Sequence, residues 1–475
     1  MAGRAAVWLL IPIAFGTLRA QESQTVRTFR FAATDAKGQP VTDLRLGEIQ
    51  ISDAGKRGSV VFSRFLSAAT PKDSALLPHE FTNRASGQPS TSTLILLDLL
   101  NADFTERSTV CQEIIQTLRP MAPSATVFLF LLAPDTSVLA IHGWMRPGGS
   151  TELPPGSWTS QISDLLDRGL QTAGKIKRAN LTDANTAANL TYQALKGLGS
   201  QYAPLPGQKR LVWVTRGMPL TLSGPNGPPP LVFQTLLQQI ATEFRQFGIP
   251  IYTVHEKDTH TANVDRVTAL DSLASLTGGR SFENEAAGRA IAEAQTDAAG
   301  MYLGGFYPAA KDADDKFHEL RVSTTRKGVR ILAPSGYTAD PPEDVRRSAL
   351  DLAVGSAFDS TDIGLRVAIE KSGNTTHFQI YVDPSDFFLQ SSGRSQTGKL
   401  LLSFVYFKGD SQPTATEPVS INVSLTSDQF DAAVKAGYPI EVDQTLPNGV
   451  SKVRIVIQDA ATGVVGSLGV PIASQ

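Results

Sequence analysis

The sequence has little of several features, and each shortage excludes a class of protein. Among 475 residues there is one cysteine, so no disulfide forms within the chain and each domain must be stable through packing alone. Lys and Arg total 43 against 45 Asp and Glu, a near-neutral balance that leaves no broad basic field for nucleic acid. After the N-terminal segment, no apolar run reaches the roughly 20 residues that cross a bilayer. We therefore expect no nucleic-acid partner and no membrane span in the mature chain.

Residues 1–20 are typical of a secretory signal peptide. Arg4 supplies a positive charge, Ala5–Leu18 is a short apolar run, and Ala20 is the small residue before the predicted cut. An uncleaved membrane anchor is the alternative interpretation. We predict cleavage after residue 20 and a mature protein that is secreted or periplasmic.

Changes of pattern along the chain divide it into several units. Single cores rarely grow beyond about 250–300 residues, so the length suits about three domains. Period-two alternation predicts β-structure near both ends, and stretches rich in Ser, Thr, Pro and Gly predict linkers. The predicted units after the signal peptide are an N-terminal β-module (21–68), a linker (69–92), an α/β domain with a β extension (93–340), a second linker (341–355) and a C-terminal β-sandwich (356–475).

Strand and helix patterns alternate between residues 93 and 299, which predicts a parallel sheet with helices on both faces. Thr93–Asp98 is a short apolar run that ends in a polar cluster, as expected of a buried strand that opens into a loop. We expect this strand to be central in the sheet. The predicted fold is thus a doubly wound α/β central domain flanked by all-β domains, of which the C-terminal one is a β-sandwich.

Several segments together carry a family resemblance. They are Leu96–Asn101, Leu211–Leu220, Ile251–His255, Leu276–Phe282 and Tyr302–Pro308. The chain resembles the VWFA-related proteins of acidobacteria, in which the central domain is a von Willebrand factor A (VWA) domain. The resemblance implies an architecture and leaves the function open, because that family is defined by its fold.

The resemblance also implies where a metal site would lie. In a VWA domain one strand ends in Asp-x-Ser-x-Ser and another in Thr-Asp-Gly, and these residues hold a divalent cation with a Thr from a third loop. Here Asp98 is kept, but Leu100 and Ala102 replace the two serines and Arg216 replaces the second aspartate. A hard cation such as Mg²⁺ needs several oxygen ligands. We therefore predict a degenerate site without a metal, and no cofactor.

The top face of this domain remains the predicted binding surface. Thr182, Asp183 or Thr186 could supply the oxygen of the third loop, and the sequence does not decide among them. Asn101 and Asp103 are further oxygen-bearing residues after the first strand. The predicted binding residues are Asp98, Asn101, Asp103, Thr182, Asp183, Arg216 and His255.

Arg216 suggests what replaces the cation. A guanidinium is always protonated and can fork onto a carboxylate, so we predict that Arg216 pairs with Asp98. Two unrelated surface residues, or a residual metal site, are the alternatives.

His255 ends another predicted strand, Ile249–His255, and should lie at the same carboxyl edge, where open α/β sheets bind ligands. A histidine beside carboxylates could act as an acid or base. We find no serine or cysteine placed to act as its nucleophile partner, so we predict no catalytic residue and favour a loop cap or a recognition residue.

Taken together, these patterns predict a secreted, non-enzymatic, modular protein. We expect it to bind another protein or an envelope component, or to act as a scaffold, outside the cytoplasm. A cell-envelope hydrolase with an unrecognised site and a purely structural envelope protein are the alternatives.

Overall fold

The computed structural model describes most of the chain after the N-terminal segment. The described residues are 26–66, 76–77, 79–84, 91–101, 114, 116–117, 126–142, 162–176, 184–215, 231–255, 264–283, 287–308, 316–339, 342–356, 358–372, 375–409 and 411–472. The predicted signal peptide lies outside them.

Within these ranges the chain forms 24 strands. They are β1 (Arg27–Thr34), β2 (Ile49–Asp53), β3 (Lys56–Gly58), β4 (Val60–Phe65), β5 (Glu80–Thr82), β6 (Thr91–Asp98), β7 (Thr126–Leu132), β8 (Val138–His142), β9 (Gln208–Val214), β10 (Ile251–His255), β11 (Ser281–Glu283), β12 (Met301–Phe306), β13 (Phe317–Thr324), β14 (Arg330–Leu332), β15 (Gly336–Thr338), β16 (Leu365–Ser372), β17 (Thr375–Val382), β18 (Gln390–Ser392), β19 (Ser395–Phe407), β20 (Thr414–Ala415), β21 (Val419–Thr426), β22 (Tyr438–Thr445), β23 (Lys452–Asp459) and β24 (Val465–Pro471).

Seven α-helices also lie within the described ranges, and most of them follow strands of the central part. They are α1 (Ile162–Lys175), α2 (Ala184–Tyr202), α3 (Leu231–Phe247), α4 (Val264–Thr277), α5 (Ala287–Ala299), α6 (Pro342–Gly355) and α7 (Ser427–Ala436). None of these helices has the length and apolar character needed to cross a bilayer.

The central domain is built on a six-stranded sheet with the order β8-β7-β6-β9-β10-β11. Numbered along the chain, this order is 3-2-1-4-5-6, and every neighbouring pair is parallel except β7 with β8. β6 lies between β7 and β9, so the central position predicted for this strand is observed. Parallel strands need helical crossovers, which explains the alternation of strand and helix in the sequence.

Both faces of this sheet are buried under helices. Leu94 and Leu96 of β6 point to one face, and Ile95 and Leu97 point to the other. Helices α2, α3 and α4 cover the first face, and α1 and α5 cover the second. Since β6 is buried on both sides, its sequence is a continuous apolar run rather than an alternating one.

The N-terminal strands do not form a module by themselves. β1 pairs with β12 and β14, and β2 pairs with β13. The resulting sheets, β14-β1-β12-β4 and β15-β13-β2-β3, share one core that includes Phe31, Ile51 and Tyr302. We call this unit the N-terminal sandwich. The β extension predicted as part of 93–340 thus supplies half of its strands, because a strand pattern shows where a strand lies but not which strand it pairs with.

The C-terminal sandwich joins the sheet β22-β17-β16-β5 to a sheet built around β19, β23 and β24. β5 comes from the segment predicted as the linker 69–92, and it pairs with Arg366–Ala368 of β16. Asn83, next to β5, is buried; its amide donates to the carbonyls of Ser360 and Ile363 and accepts from the Leu365 N–H, each at 2.8 Å. These bonds fix the segment before the central domain to the unit that follows it.

Helix α6 occupies the range predicted as the second linker. Ala353 of this helix packs on Val405, Val456 and Val465 of the C-terminal sandwich. The buried Arg454 donates to the carbonyl of Ala353 at 3.0 Å, close to the end of the helix. A cation at the C-terminal end of a helix stabilises it, so α6 is anchored rather than free.

Candidate functional site

Asp98 is the last residue of the central strand β6 and the centre of the predicted site. Its side chain is buried, and four hydrogen bonds reach its carboxylate. Oδ1 accepts from the backbone N–H of Leu100 at 3.0 Å and of Asn101 at 2.9 Å. Oδ2 accepts from Nδ2 of Asn101 at 2.8 Å and from Oγ1 of Thr215 at 2.7 Å. A carboxylate has about four lone-pair positions, so these donors fill its capacity.

All four of these donors are uncharged. Burial raises the pKa of the Asp98 carboxyl, and the hydrogen bonds from Asn101, Thr215 and Leu100 oppose that rise. The group acts as a cap for the turn after β6, in the way that an Asp side chain accepts backbone N–H groups two and three residues later.

Two residues that the sequence did not single out complete this site. Thr215 follows β9, and its N–H donates to the carbonyl of Val254 at 3.0 Å, which fixes the hydroxyl beside Asp98. Thr191 of α2 accepts from Nδ2 of Asn101 at 3.3 Å. Thr215 could have been found, since it holds the threonine position of the Thr-Asp-Gly pattern. Nothing in the sequence around Thr191 marks it.

Four of the predicted binding residues lie outside the described residues: Asp103, Thr182, Asp183 and Arg216. The ion pair of Arg216 with Asp98 therefore stays a prediction.

His255 ends β10 and is also buried, but it belongs to a second group of residues. Its Nε2 lies 3.0 Å from Oγ of Ser281 and 3.5 Å from Oδ1 of Asp271. The Ser281 hydroxyl in turn accepts from Oγ1 of Thr253 at 2.9 Å. The sequence pattern did not indicate a serine beside His255; β11 pairs in parallel with β10 and brings Ser281, 26 positions later in the chain, to its side.

The residues around Asp98 and those around His255 form two separate groups. β9 lies between β6 and β10, and adjacent strands are about 4.8 Å apart, so Asp98 and His255 are separated by about 10 Å. Among the residues that the structure describes, no three His, Cys, Asp or Glu side chains form a group that could hold a metal ion.

A different kind of site lies where the three units meet. Arg30 of the N-terminal sandwich donates to Asp362 at 2.8 Å and to Oε1 of Gln208 at 3.1 Å. The buried Lys209 donates from Nζ to the carbonyls of Leu205 at 2.8 Å and Gly207 at 3.3 Å. Burial lowers the pKa of Lys209 to about 8. Although burial opposes it, the charges of Arg30, Lys209 and Arg64 lower the pKa of Asp362.

The same junction contains a second carboxylate with cationic partners. Asp386 pairs with Arg64 of β4 and, at 2.7 Å, with Arg84, which follows β5. The Gly364 N–H donates to its Oδ2 at 2.9 Å. We call Arg30, Arg64, Arg84, Lys209, Asp362 and Asp386 the junction cluster.

A cavity of about 250 Å³ adjoins the junction cluster, with Arg30 and Asp362 in its wall. It also borders Pro204, Pro250 and Gly278, which precede β9, β10 and β11. It therefore lies at the amino edge of the central sheet, opposite the edge that carries Asp98. None of the predicted binding residues lines this cavity, so the cavity and the predicted binding site lie in different parts of the structure.

No family model matches the sequence, and no curated protein matches it. Among solved structures, the chain is similar to the human COPII-coat protein Sec24c, with a TM-score of 0.29 and 10% identity over 56% of this chain and 50% of that one. The chain thus spans half the length of that protein.

Two further solved structures show likeness at the same level. The VWA domain of SpRpn10 matches with a TM-score of 0.24 and 11% identity over 42% of this chain and 93% of that one. A variant of the PilB minor pilin from Streptococcus sanguinis matches with a TM-score of 0.28 and 10% identity over 45% of this chain and 62% of that one. VWA domains are thus among the structural neighbours, and the likeness is weak.

Proposed function

We propose that the chain is a non-enzymatic, modular interaction or scaffolding protein whose central domain is VWA-like and binds no cation at its carboxyl edge. The observation that carries the proposal is the hydrogen bonding of Asp98. Its four acceptor positions are filled by Leu100, Asn101 and Thr215. A carboxylate with no free lone pair can neither ligate a metal nor take up a proton without breaking these bonds.

The VWA-like assignment rests on topology and motifs together. The strand order 3-2-1-4-5-6 with one antiparallel edge strand supports it, and so does an aspartate at the end of the first strand. The acidobacterial family type rests on the sequence resemblance alone. Fold does not determine function, so the site has to carry the functional argument.

The proposed location and the proposed partner rest on features of the sequence. The signal-like residues 1–20 support a secreted or periplasmic location. A near-neutral surface favours another protein or an uncharged envelope component over a polyanion. Three units joined by a partly buried charge cluster give the chain several faces of fixed geometry, which suits a scaffold.

Three measurements on the mature protein test this proposal. Titration calorimetry with Mg²⁺, Ca²⁺ and Mn²⁺ should show no heat of specific binding, and a chelator should leave the melting temperature unchanged. Immobilised protein should capture a partner from the envelope fraction of its source organism, and the partner should be absent with a heat-unfolded control. A stoichiometric cation site that disappears in Asp98→Ala would contradict the metal-free assignment.

One observation favours the hydrolase alternative, namely the 3.0 Å contact of His255 with Ser281. In a Ser-His-Asp triad, however, the serine and the aspartate bind different ring nitrogens. Here Ser281 and Asp271 both approach Nε2, and the His255 side chain is fully buried. We therefore rank this function second. A fluorophosphonate probe that labels the wild type but not Ser281→Ala would reverse the ranking.

A further inference from the structure

Strand β21 forms one border of the C-terminal sandwich. It pairs with Ser395–Leu402 of β19 through one of its edges. No other strand in the described part of the chain pairs with its second edge. Its eight residues, Val-Ser-Ile-Asn-Val-Ser-Leu-Thr, include no charged residue and no proline. An open strand edge of this kind is a template for pairing with another chain.

The two sides of β21 differ clearly. Val423 and Leu425 are buried in the core of the sandwich, while Ser420 and Asn422 are exposed. Val419, at the start of the strand, is 61% exposed. The strand therefore has a regular apolar side and a regular polar side, so its register with any partner is defined.

A second border strand of the same sandwich, β22, shows the features that normally prevent such pairing. It has the same length, but it contains Pro439, Glu441 and Asp443. Proline and charged residues on an edge strand prevent association between sheets. β21 has neither a proline nor a charged residue, so its own sequence does not oppose such pairing.

We propose that β21 pairs with β21 of a second copy of this chain, antiparallel, across a two-fold axis at Val423. A two-fold axis perpendicular to the sheet keeps the apolar side of one copy next to the apolar side of the other. In this register Ile421 faces Leu425 of the second copy, and Val423 faces its own counterpart. The proposal deepens the scaffolding function proposed above and rests on it, because it names one surface and its occupant.

The same register matches the polar side of the strand. Asn422 faces Ser424 of the second copy, and Ser420 faces Thr426. Cross-strand pairs of hydroxyl and amide side chains are favourable, and like charges opposite each other are not. With no charge on the strand, self-pairing meets no repulsion. Pro418 on one side and the start of α7 at Ser427 on the other limit the pairing to this strand.

One strand pair buries less than the roughly 1,600 Å² of a standard interface, so we expect a weak, reversible dimer with a dissociation constant in the micromolar range. Sedimentation velocity of the mature protein over a wide concentration range measures it. Asn422→Lys should weaken association about tenfold, because each copy then carries a charge next to the axis. Thr445→Lys, on exposed β22, is the matched control and should dimerise like the wild type.

A paired variant tests the register itself. Asn422→Lys combined with Ser424→Glu places opposite charges across the axis and should restore the wild-type dissociation constant. In a register centred on Asn422 the two ammonium groups would face each other, and no restoration would follow. A wild type that stays monomeric, equal loss with Thr445→Lys, or no rescue by the pair would overturn the proposal.

The partner capture described above separates this proposal from the function it rests on. If Asn422→Lys weakens the dimer as expected and still captures the envelope partner, both proposals hold. If the wild type captures a partner but never dimerises, the scaffolding function stands and the β21 pairing is refuted.

Discussion

The carboxyl edge of the central sheet and the junction of the three units both bury carboxylates, but they satisfy them by different means. At the edge, Asp98 is surrounded by uncharged donors from its own turn and from Thr215. At the junction, Asp386 is held by two guanidinium groups, those of Arg64 and Arg84. Burial raises the pKa of Asp98 and also that of Asp386, whereas the surrounding cations lower the pKa of Asp362.

This difference shows how the two regions serve the fold. Most of the partners of Asp98 are local, so the site closes a turn and would form within the central domain alone. The partners of Asp386 come from β4 and from the segment after β5, and Arg64 lies 322 positions from Asp386 in the sequence. Buried ion pairs add little net stability over apolar packing, but they penalise any arrangement that leaves one charge unpaired. The junction cluster therefore fixes how the units are arranged.

The largest effect is expected from breaking the junction. Asp386→Ala leaves Arg64 and Arg84 without their shared carboxylate, and we expect a loss of about 4 kcal/mol in the free energy of unfolding. Urea denaturation measures it. Asp431→Ala, on the exposed side of α7, is the control and should change stability by less than about 0.5 kcal/mol. A loss at Asp386 no larger than at Asp431 would show that the cluster does not hold the units together.

A somewhat smaller effect is expected at the carboxyl edge. Asp98→Ala removes the carboxylate that accepts from the Leu100 and Asn101 N–H groups and from the Thr215 hydroxyl, at a cost of about 3 kcal/mol. Thr215→Val removes one donor only and should cost about 1 kcal/mol. Unfolding midpoints of the two variants test this order. A neutral Asp98→Ala would mean that the carboxylate is not the cap described here.

The central sheet was largely predictable from the sequence, and particular residues show why. Thr93–Asp98 is apolar without alternation, which only a strand covered on both faces requires. The observed strand begins two residues earlier, at Thr91. Asp98 was predictable as a carboxylate at the carboxyl edge of the sheet because it ends that strand. Its hydrogen bonds with the backbone N–H groups of Leu100 and Asn101 depend on the conformation of the turn, which the residue types alone do not specify.

The junction was not predictable, since its residues are separated by long stretches of chain. β5 has three residues in a segment rich in Ser and Pro, and a pattern that short cannot be told from a turn. The pairing of Arg30 with Asp362 joins positions 332 residues apart. Sequence patterns report local periodicity and burial, and they carry no information on which distant charge a given arginine will meet.

Within the junction cluster, Lys209 donates to backbone carbonyls rather than to a carboxylate. Its pKa provides a further test of how the junction stabilises the fold. The pKa of Lys209 is lowered by burial from 10.5 to about 8. Between these two values the unfolded chain binds more protons than the folded one, so stability rises with pH across this window. We expect a rise of about 3 kcal/mol in the wild type, absent in Lys209→Met. Urea unfolding at several pH values measures it; parallel curves for the two proteins would contradict it.

The smallest effect is a difference in sign between two carboxylates, Asp98 at the edge and Asp362 at the junction. Because the pKa of Asp98 is raised in the folded state, the folded chain binds more protons just above the usual value of 3.8. Its contribution to stability is therefore greatest at low pH and falls as pH rises through that window. The pKa of Asp362 is lowered, so its contribution is present above 3.8 and is lost as pH falls below it.

Asparagine variants distinguish the contributions of Asp98 and Asp362 to stability, because the two contributions should change with pH in opposite directions. The stability difference between wild type and Asp98→Asn should shrink as pH rises from about 3 to 7. The difference between wild type and Asp362→Asn should grow over the same range, because the cations of Arg30 and Lys209 favour the ionised carboxylate. Urea midpoints at matched ionic strength give both differences. Slopes of the same sign would mean that the two carboxylates are stabilised alike, and the contrast between uncharged and cationic donors would then fail.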